Sequence, residues 1–397
     1  MPNRRKAVPV NTTRSRVDAL RDFVADRREE MVDLLRTLVD IESPTDHPKG
    51  TTEVATLLGE RLADLSFDVR RLPSERYGEH LVADGGDADG SRLFAVGHVD
   101  TVFPLGTGWG FSIDGPRAYG PGVIDMKSGD VALVYALRAL HETGGIPLPV
   151  RMFYNTDEEP GSPESRNLIP GLLEGCDQAF VLEPSEPDGT AVVRRKGVAI
   201  FDVAVTGRAA HAGQEPERGI SANRELCALV LEAEALASKE TGTTVNAGII
   251  AGGTAAYVIP EHASCKLDVR VPDVSEQRRI EQRLAEICAV RREPGTDIRL
   301  TGGFHRPPMA PRDGTQRLLD AYQRAGEVAG QAITFDLSGA ASDGNTIAGC
   351  GVPVIDGLGG IGGRAHSSEE YLELESLFDR TLLLAHAIEQ LALVPRT

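Results

Sequence analysis

The sequence predicts an α/β protein with a mainly parallel sheet, interrupted by an inserted α+β domain. Three observations carry that expectation. Between residues 68 and 182, short β-rich runs alternate with helical periodicity, the pattern of strands joined by crossover helices. After Glu186 the runs lengthen and change style, and from residue 306 the first style returns. At 397 residues the chain also exceeds the length over which one hydrophobic core keeps growing.

Taken in order, Leu20, Phe23, Val24, Met31, Leu34, Leu35 and Leu38 recur at helical spacing from Val17 to Val39, and Glu42-Ser43-Pro44 ends the run. A second helix is expected over Thr52–Leu65. Strands follow at Asp68–Leu72, His80–Ala83 and Arg92–Val96, then a helix over Lys127–Thr143, then strands at Val150–Asn155 and Gln178–Leu182. In the middle of the chain, expected strands Val192–Thr206, Thr243–Ile250 and His262–Val271 interleave with helices over Gly219–Ser238 and Ser275–Val290. Gly314–Gly330 then reads as helix, Val352–Ile355 as strand and Glu370–Leu393 as a final helix. The first domain is expected over 1–190 and 306–397, with the insertion over 191–305.

Composition narrows the function. Hydrophobic residues at 41% and charged residues at 25% are ordinary for a globular protein, and no apolar run is long enough to cross a bilayer, so no membrane partner is expected. The 42 Lys plus Arg against 59 Asp plus Glu leave −17, which repels phosphates and argues against nucleic acid. Five widely spaced cysteines, Cys176, Cys227, Cys265, Cys288 and Cys350, form no C-x-x-C and read as reduced thiols of a cytoplasmic protein. Arg4, Arg5 and Lys6 lack a following apolar stretch, so Met1–Arg16 is expected to be a short arm rather than a secretory signal.

Residues able to bind a metal stand where apolar runs end. His98 and Asp100 close the run Leu93-Phe94-Ala95-Val96, and strand alternation puts both side chains on one side, as a ligand and its supporting carboxylate or as a core histidine beside a solvated acid. Asp125, in the turn after Tyr119-Gly120-Pro121-Gly122, could offer one oxygen to each of two ions or cap the following helix. Glu158 and Glu159 adjoin, and adjacent carboxylates repel unless a cation or a proton intervenes. In a metal site Glu159 would bind the ion while Glu158 moves a proton; the plainer alternative is a solvated acidic loop. Glu183 ends the run Ala179–Leu182, and His366 follows a glycine-rich stretch, Gly357–Gly363, that permits close backbone approach or could cradle a phosphate. Mixed imidazole and carboxylate donors suit zinc or a similar divalent ion.

The ordered set Gly97-His98-Val99-Asp100-Thr101-Val102, Gly120 to Lys127, Asn155-Thr156-Asp157-Glu158-Glu159, Glu183-Pro184, His211-Ala212-Gly213 and Ala365-His366-Ser367 resembles the aminoacylase and glutamate-carboxypeptidase family of co-catalytic zinc hydrolases. Leu38 to Ser43 and Asp268-Val269-Arg270 also resemble it, closest to its glutamate-carboxypeptidase branch. The resemblance implies a zinc-exopeptidase-like catalytic domain with an inserted lid and dimerisation domain. It implies one zinc on His98 and Glu183, a second on Glu159 and His366, Asp125 bridging, and a cis bond at Asp125-Met126, with cobalt or manganese as substitutes. Glu158 becomes the general base and acid, and Asp100 supports His98. His211 is implied to reach the active site of a partner in a homodimer and steady the oxyanion. Arg270 and Arg306 match positions near the substrate's carboxylate, and Arg364 is a further specificity candidate. Tyr257 departs from the pattern: it stands where the family has Asn, and a phenol cannot offer the amide's paired donor and acceptor.

The expected function is cleavage of an amide next to a free carboxylate by a metal-activated water, on a small substrate such as a dipeptide, an acyl amino acid or a glutamyl conjugate. Two alternatives stand beside it: an N-acyl- or N-carbamoyl-amino-acid deacylase using the same site, and a non-catalytic metal-dependent binding protein on the same scaffold.

Overall fold

The computed structural model describes residues 11–86 and 91–393. Of the expected N-terminal arm, residues 1–10, with Arg4, Arg5 and Lys6, lie outside that range, and the chain from Asn11 is already helical. The described residues divide into two compact units. The first runs to Val193 and resumes with Pro311–Leu337 and the chain from Cys350; the second comprises Arg194–Ala310 and Ser338–Gly349.

A six-stranded sheet forms the first unit, in the order Asp68–Leu72, His80–Gly85, Val150–Asn155, Arg92–His98, Cys176–Val181, Val354–Ile355. The last three pairings in that order are parallel and the first two antiparallel. Arg92–His98 is buried almost throughout because neighbours and helices cover it, which is why its sequence is a continuous apolar run rather than an alternating one. Helix Ser128–Gly144 packs on Arg28–Asp40, Pro48–Ala63 and Leu374–Ala392, and the last also meets Thr315–Ala329. Apolar side chains all round Leu374–Ala392, Leu377, Leu383, Leu384 and Ile388 among them, match a helix enclosed by others. Each such Leu or Ile contributes about 1.5–3 kcal/mol on burial.

Two expected elements are divided. The helix predicted over Val17–Val39 is two, Asn11–Asp26 and Arg28–Asp40, with Arg27 non-helical at φ −110 and ψ 9. Between Val24 and Met31 no large apolar residue anchors the chain, while Arg27 lies 4.9 Å from the Phe23 ring and pairs with Glu142 at 3.4 Å. The strand predicted over Val192–Thr206 breaks at Lys196 into Ala191–Arg195 and Gly197–Thr206.

The second unit is an antiparallel four-stranded sheet in the order Thr244–Gly252, His262–Val271, Gly197–Thr206, Asp297–Arg306. Its inward residues, such as Phe201, Val203, Val205, Leu267 and Val269, pack with Leu226, Leu229, Ile280 and Leu284 of helices Ala222–Glu234 and Val274–Ala289. Both helices start at a capping side chain: Ser221 accepts from Arg224 N, and Asp273 from Ser275 and Glu276 N. Asp297–Arg306 was not expected as a strand, because Gly302 and Gly303 interrupt the alternation of Ile298, Leu300 and Phe304. Among the described residues no helix is long and apolar enough to cross a membrane.

Candidate metal centre

Parallel strands deliver their carboxyl ends to one edge of the first unit's sheet, where ligands of open α/β sheets bind. His98 ends its strand opposite Asn155, so Glu158 and Glu159 emerge beside it in the next loop. Leu182 N donates to Val96 O at 3.1 Å, which places Glu183 on the other side. From Ile355 the chain enters the glycine stretch, which lies against the Glu183 backbone: Gly359 N donates to Glu183 O at 2.8 Å, and a Cβ on Gly359 would meet Leu182 O at 2.5 Å. The glycines thus serve backbone packing beside Glu183.

Asp125 is shared by two groups of three donors. In one, its Oδ1 lies 3.2 Å from His98 Nε2, which is 3.9 Å from Glu183 Oε1. In the other, its Oδ2 lies 3.1 Å from His366 Nε2, which is 3.2 Å from Glu159 Oε2. A tetrahedral ion with bonds of about 2.0–2.2 Å sets its ligands about 3.3–3.6 Å apart, so both groups fit a zinc-sized cation. The Asp125-Met126 bond is cis. His98 Nδ1 donates to the backbone carbonyl of Asp100 at 3.0 Å, which leaves the Nε2 lone pair facing Asp125 and Glu183.

The Asp100 carboxylate is more than a support for His98. Its Oδ1 is 3.5 Å from His98 Nδ1, whereas it accepts Glu158 N at 3.1 Å, Glu159 N at 3.2 Å and the Thr45 hydroxyl at 2.7 Å. It therefore fixes the backbone that carries the acidic pair. Asp157 closes the same loop by accepting Glu164 N at 2.7 Å and Ser165 N at 3.2 Å. Glu158 is buried and belongs to neither group of donors.

The electrostatics are those of a cation site. Hydrogen bonds with Asp125 and Glu159 push the His366 imidazole up to about 10. Burial pulls His98 down, but its hydrogen bonds with Asp100 and Asp125 outweigh that and raise it well above the ordinary value. Both imidazoles thus lie among carboxylates, where a divalent cation would find nitrogen and oxygen donors together. Burial raises the Glu159 carboxyl above its ordinary range, against the opposing pull of its hydrogen bond with His366.

The remaining predicted residues are members of neither donor group. Arg364, beside His366 in sequence, is left-handed at φ 59 and ion-pairs with Glu369 on the surface. In the second unit, His211 is exposed, and its Nδ1 accepts Gly213 N at 3.2 Å and Gln214 N at 3.1 Å, which leaves an Nε2–H donor facing outward. Ala212 N donates to Tyr257 O at 3.0 Å, so Tyr257, 67% exposed, is its neighbour. Arg270 is half-buried, with Nε 3.3 Å from Asp268 Oδ1. Arg306 is buried and its Nη1 meets Asp343 Oδ1 at 3.2 Å.

Sequence reasoning missed Glu370 and Thr45. Glu370 is wholly buried and accepts backbone N–H groups of the Asp125 turn; burial pushes its carboxyl up to about 7. Its signal was faint, one acid in the pair Glu369-Glu370 ahead of a short apolar strand.

The chain matches the model of Peptidase family M20/M25/M40 over residues 95–390. It is 30% identical over 387 residues to carboxypeptidase G2 of Pseudomonas sp. (strain RS-16), covering 95% of this chain and 92% of that protein. It is 27% identical over 368 residues to succinyl-diaminopimelate desuccinylase of Gluconobacter oxydans (strain 621H), covering 88% and 94%. Among solved structures, the YXEP protein of Bacillus subtilis, described as a dinuclear metal binding peptidase from the M20 family, superposes with a TM-score of 0.70 at 16% identity, covering 92% of this chain and 98% of that one.

Proposed function

Since the chain belongs to peptidase family M20/M25/M40 and is a metal-dependent peptide or amide hydrolase, we propose that it cleaves an amide next to a free carboxylate, with two zinc ions held on Asp125. The observation that carries this reading is one carboxylate common to two donor groups, with Glu158 beside them but in neither. His98 and Glu183 would complete one position, Glu159 and His366 the other. When bound, the cations would acidify a water and polarise the scissile carbonyl. Glu158 then accepts the proton of the attacking water and returns it to the departing amine nitrogen as the C–N bond breaks. Asp100 keeps Glu158 in place through its backbone N–H.

Arg270 and Arg364 are proposed to grip the carboxylate, since their guanidinium groups are exposed enough to exchange partners and Arg306 is taken up by Asp343. The name of the carboxypeptidase relative supports a substrate with a free C-terminal carboxylate. A second reading, an N-acyl-amino-acid deacylase, draws on the desuccinylase relative and on Tyr257 in place of Asn. Both are tested by one panel: dipeptides and N-acyl amino acids, each as free acid and as C-terminal amide. Masking the carboxylate is expected to lower kcat/KM by about 10- to 100-fold, the worth of a charge-assisted hydrogen bond. Equal rates for acid and amide would remove the carboxylate grip from the account, and the better leaving partner decides between peptidase and deacylase.

The protein is further proposed to act as a cytoplasmic homodimer. Strand Thr244–Gly252 ends its sheet and leaves Ile249 and Ile250 more than half exposed, an edge that invites a symmetric partner, and all five cysteines are unbridged. His211, with its outward Nε2–H, is proposed to donate to the developing oxyanion in the partner's site. His211→Ala should then depress kcat by about 10²–10³-fold with metal content intact. Mixed dimers pairing that subunit with a Glu158→Gln subunit should regain one working site, and sedimentation and cell fractionation check the dimer and the compartment.

A further inference from the structure

Glu370 sits where the two halves of the metal centre are tied together. Its Oε1 accepts Ile124 N at 2.9 Å and Asp125 N at 3.2 Å, and its Oε2 accepts Gly122 N at 3.3 Å. That turn is irregular: Gly122 is left-handed at φ 74, and Asp125 and Met126 leave helical geometry. Its N–H groups therefore point at an outside acceptor, and an ionised one bonds about twice as strongly as a neutral one. On its other side Glu370 stands four residues beyond His366. Ser367 N donates to Arg364 O at 3.2 Å and Glu370 N to Ser367 O at 3.1 Å, which makes one compact turn of the segment. Within it Arg364 and His366 hold left-handed backbones, at φ 59 and 63, a conformation that persists in side-chain-bearing residues only when the surroundings enforce it.

We propose that Glu370 is a positioning residue that fixes Asp125 relative to His366 and so selectively secures the cation held by Asp125, Glu159 and His366. The selectivity follows from where the donors come from. His98 ends a central strand and Glu183 lies two residues beyond the end of Cys176–Val181, whereas His366 and the Asp125 turn are irregular segments 241 residues apart that Glu370 joins. This rests on the two-cation reading above. A glutamine cannot replace the carboxylate, because its NH₂ would face one of the backbone donors.

The experiment is zinc titration of metal-depleted wild type, Glu370→Gln and Glu370→Asp by calorimetry, with bound zinc counted by elemental analysis after dialysis, and kcat and KM measured at limiting and saturating zinc. In Glu370→Gln one zinc is expected to bind within about threefold of wild type while the other weakens by about 10- to 100-fold, the usual cost of losing an outer support. kcat should fall at limiting zinc and recover at saturation, with KM little changed. Equal weakening of both positions, or wild-type affinity at both, would overturn the proposal, since a general packing defect has no reason to choose one ion. If the glutamine variant does not fold, the aspartate variant, which keeps the charge one methylene short, must show the same selective loss. Wild type that binds fewer than two zinc ions would instead sink the metal-centre reading, and this proposal with it.

Discussion

Glu158→Gln is expected to leave zinc binding unchanged and to lower kcat by about 10²–10⁴-fold, the range attributed to positioned proton transfer. The substitution is nearly isosteric and removes the basic oxygen. Because Glu158 is in neither group of donors, its loss should not release an ion. Its backbone N–H bond to Asp100 does not involve the side chain, so the acidic loop should keep its shape. Elemental analysis alongside steady-state kinetics decides the matter. Full turnover in the variant removes Glu158 from the mechanism; loss of metal together with turnover makes it a ligand.

Asp125→Ala is expected to do the reverse and release both ions, because each group of donors loses a member at once. Turnover should fall at least as far as in Glu158→Gln, beyond about 10²-fold, since acidification of water and polarisation of the carbonyl both depend on the cations. His98→Ala and His366→Ala provide the contrast: each touches one group and should deplete one position more than the other. Two ions retained in Asp125→Ala would show that the carboxylate is not common to them.

How much of this was legible in the chain depends on where each residue stands. His98 and Glu183 could be read from the residues alone, because a charged or imidazole group at the end of a buried apolar run has to be satisfied by something, and strand alternation fixes its direction. The sharing of Asp125 stood on the residues only as one of two openings, two ions or a helix cap, since its partners lie 27 and 241 residues away and either oxygen could have faced solvent; the family resemblance chose between them. Glu370 escaped because its role is to three backbone N–H groups more than 240 residues earlier, and backbone acceptance leaves no complementary residue to find. The resemblance set Arg306 near the substrate's carboxylate; its bond to Asp343, 37 residues on, could not be read from the chain, because nothing in the spacing links the two. The helix over Val17–Val39 had the right period on both sides of Arg27 and no apolar residue to carry it across, a gap that periodicity alone does not register as a break.

The most direct test of the central claim, that one aspartate joins two cations, is the anomalous scattering of zinc-loaded crystals recorded on both sides of the zinc edge. The account predicts two peaks per chain with Asp125 bound to both, His98 and Glu183 on the first and Glu159 and His366 on the second. A single peak, or two peaks with Asp125 bound to one or neither, would contradict it.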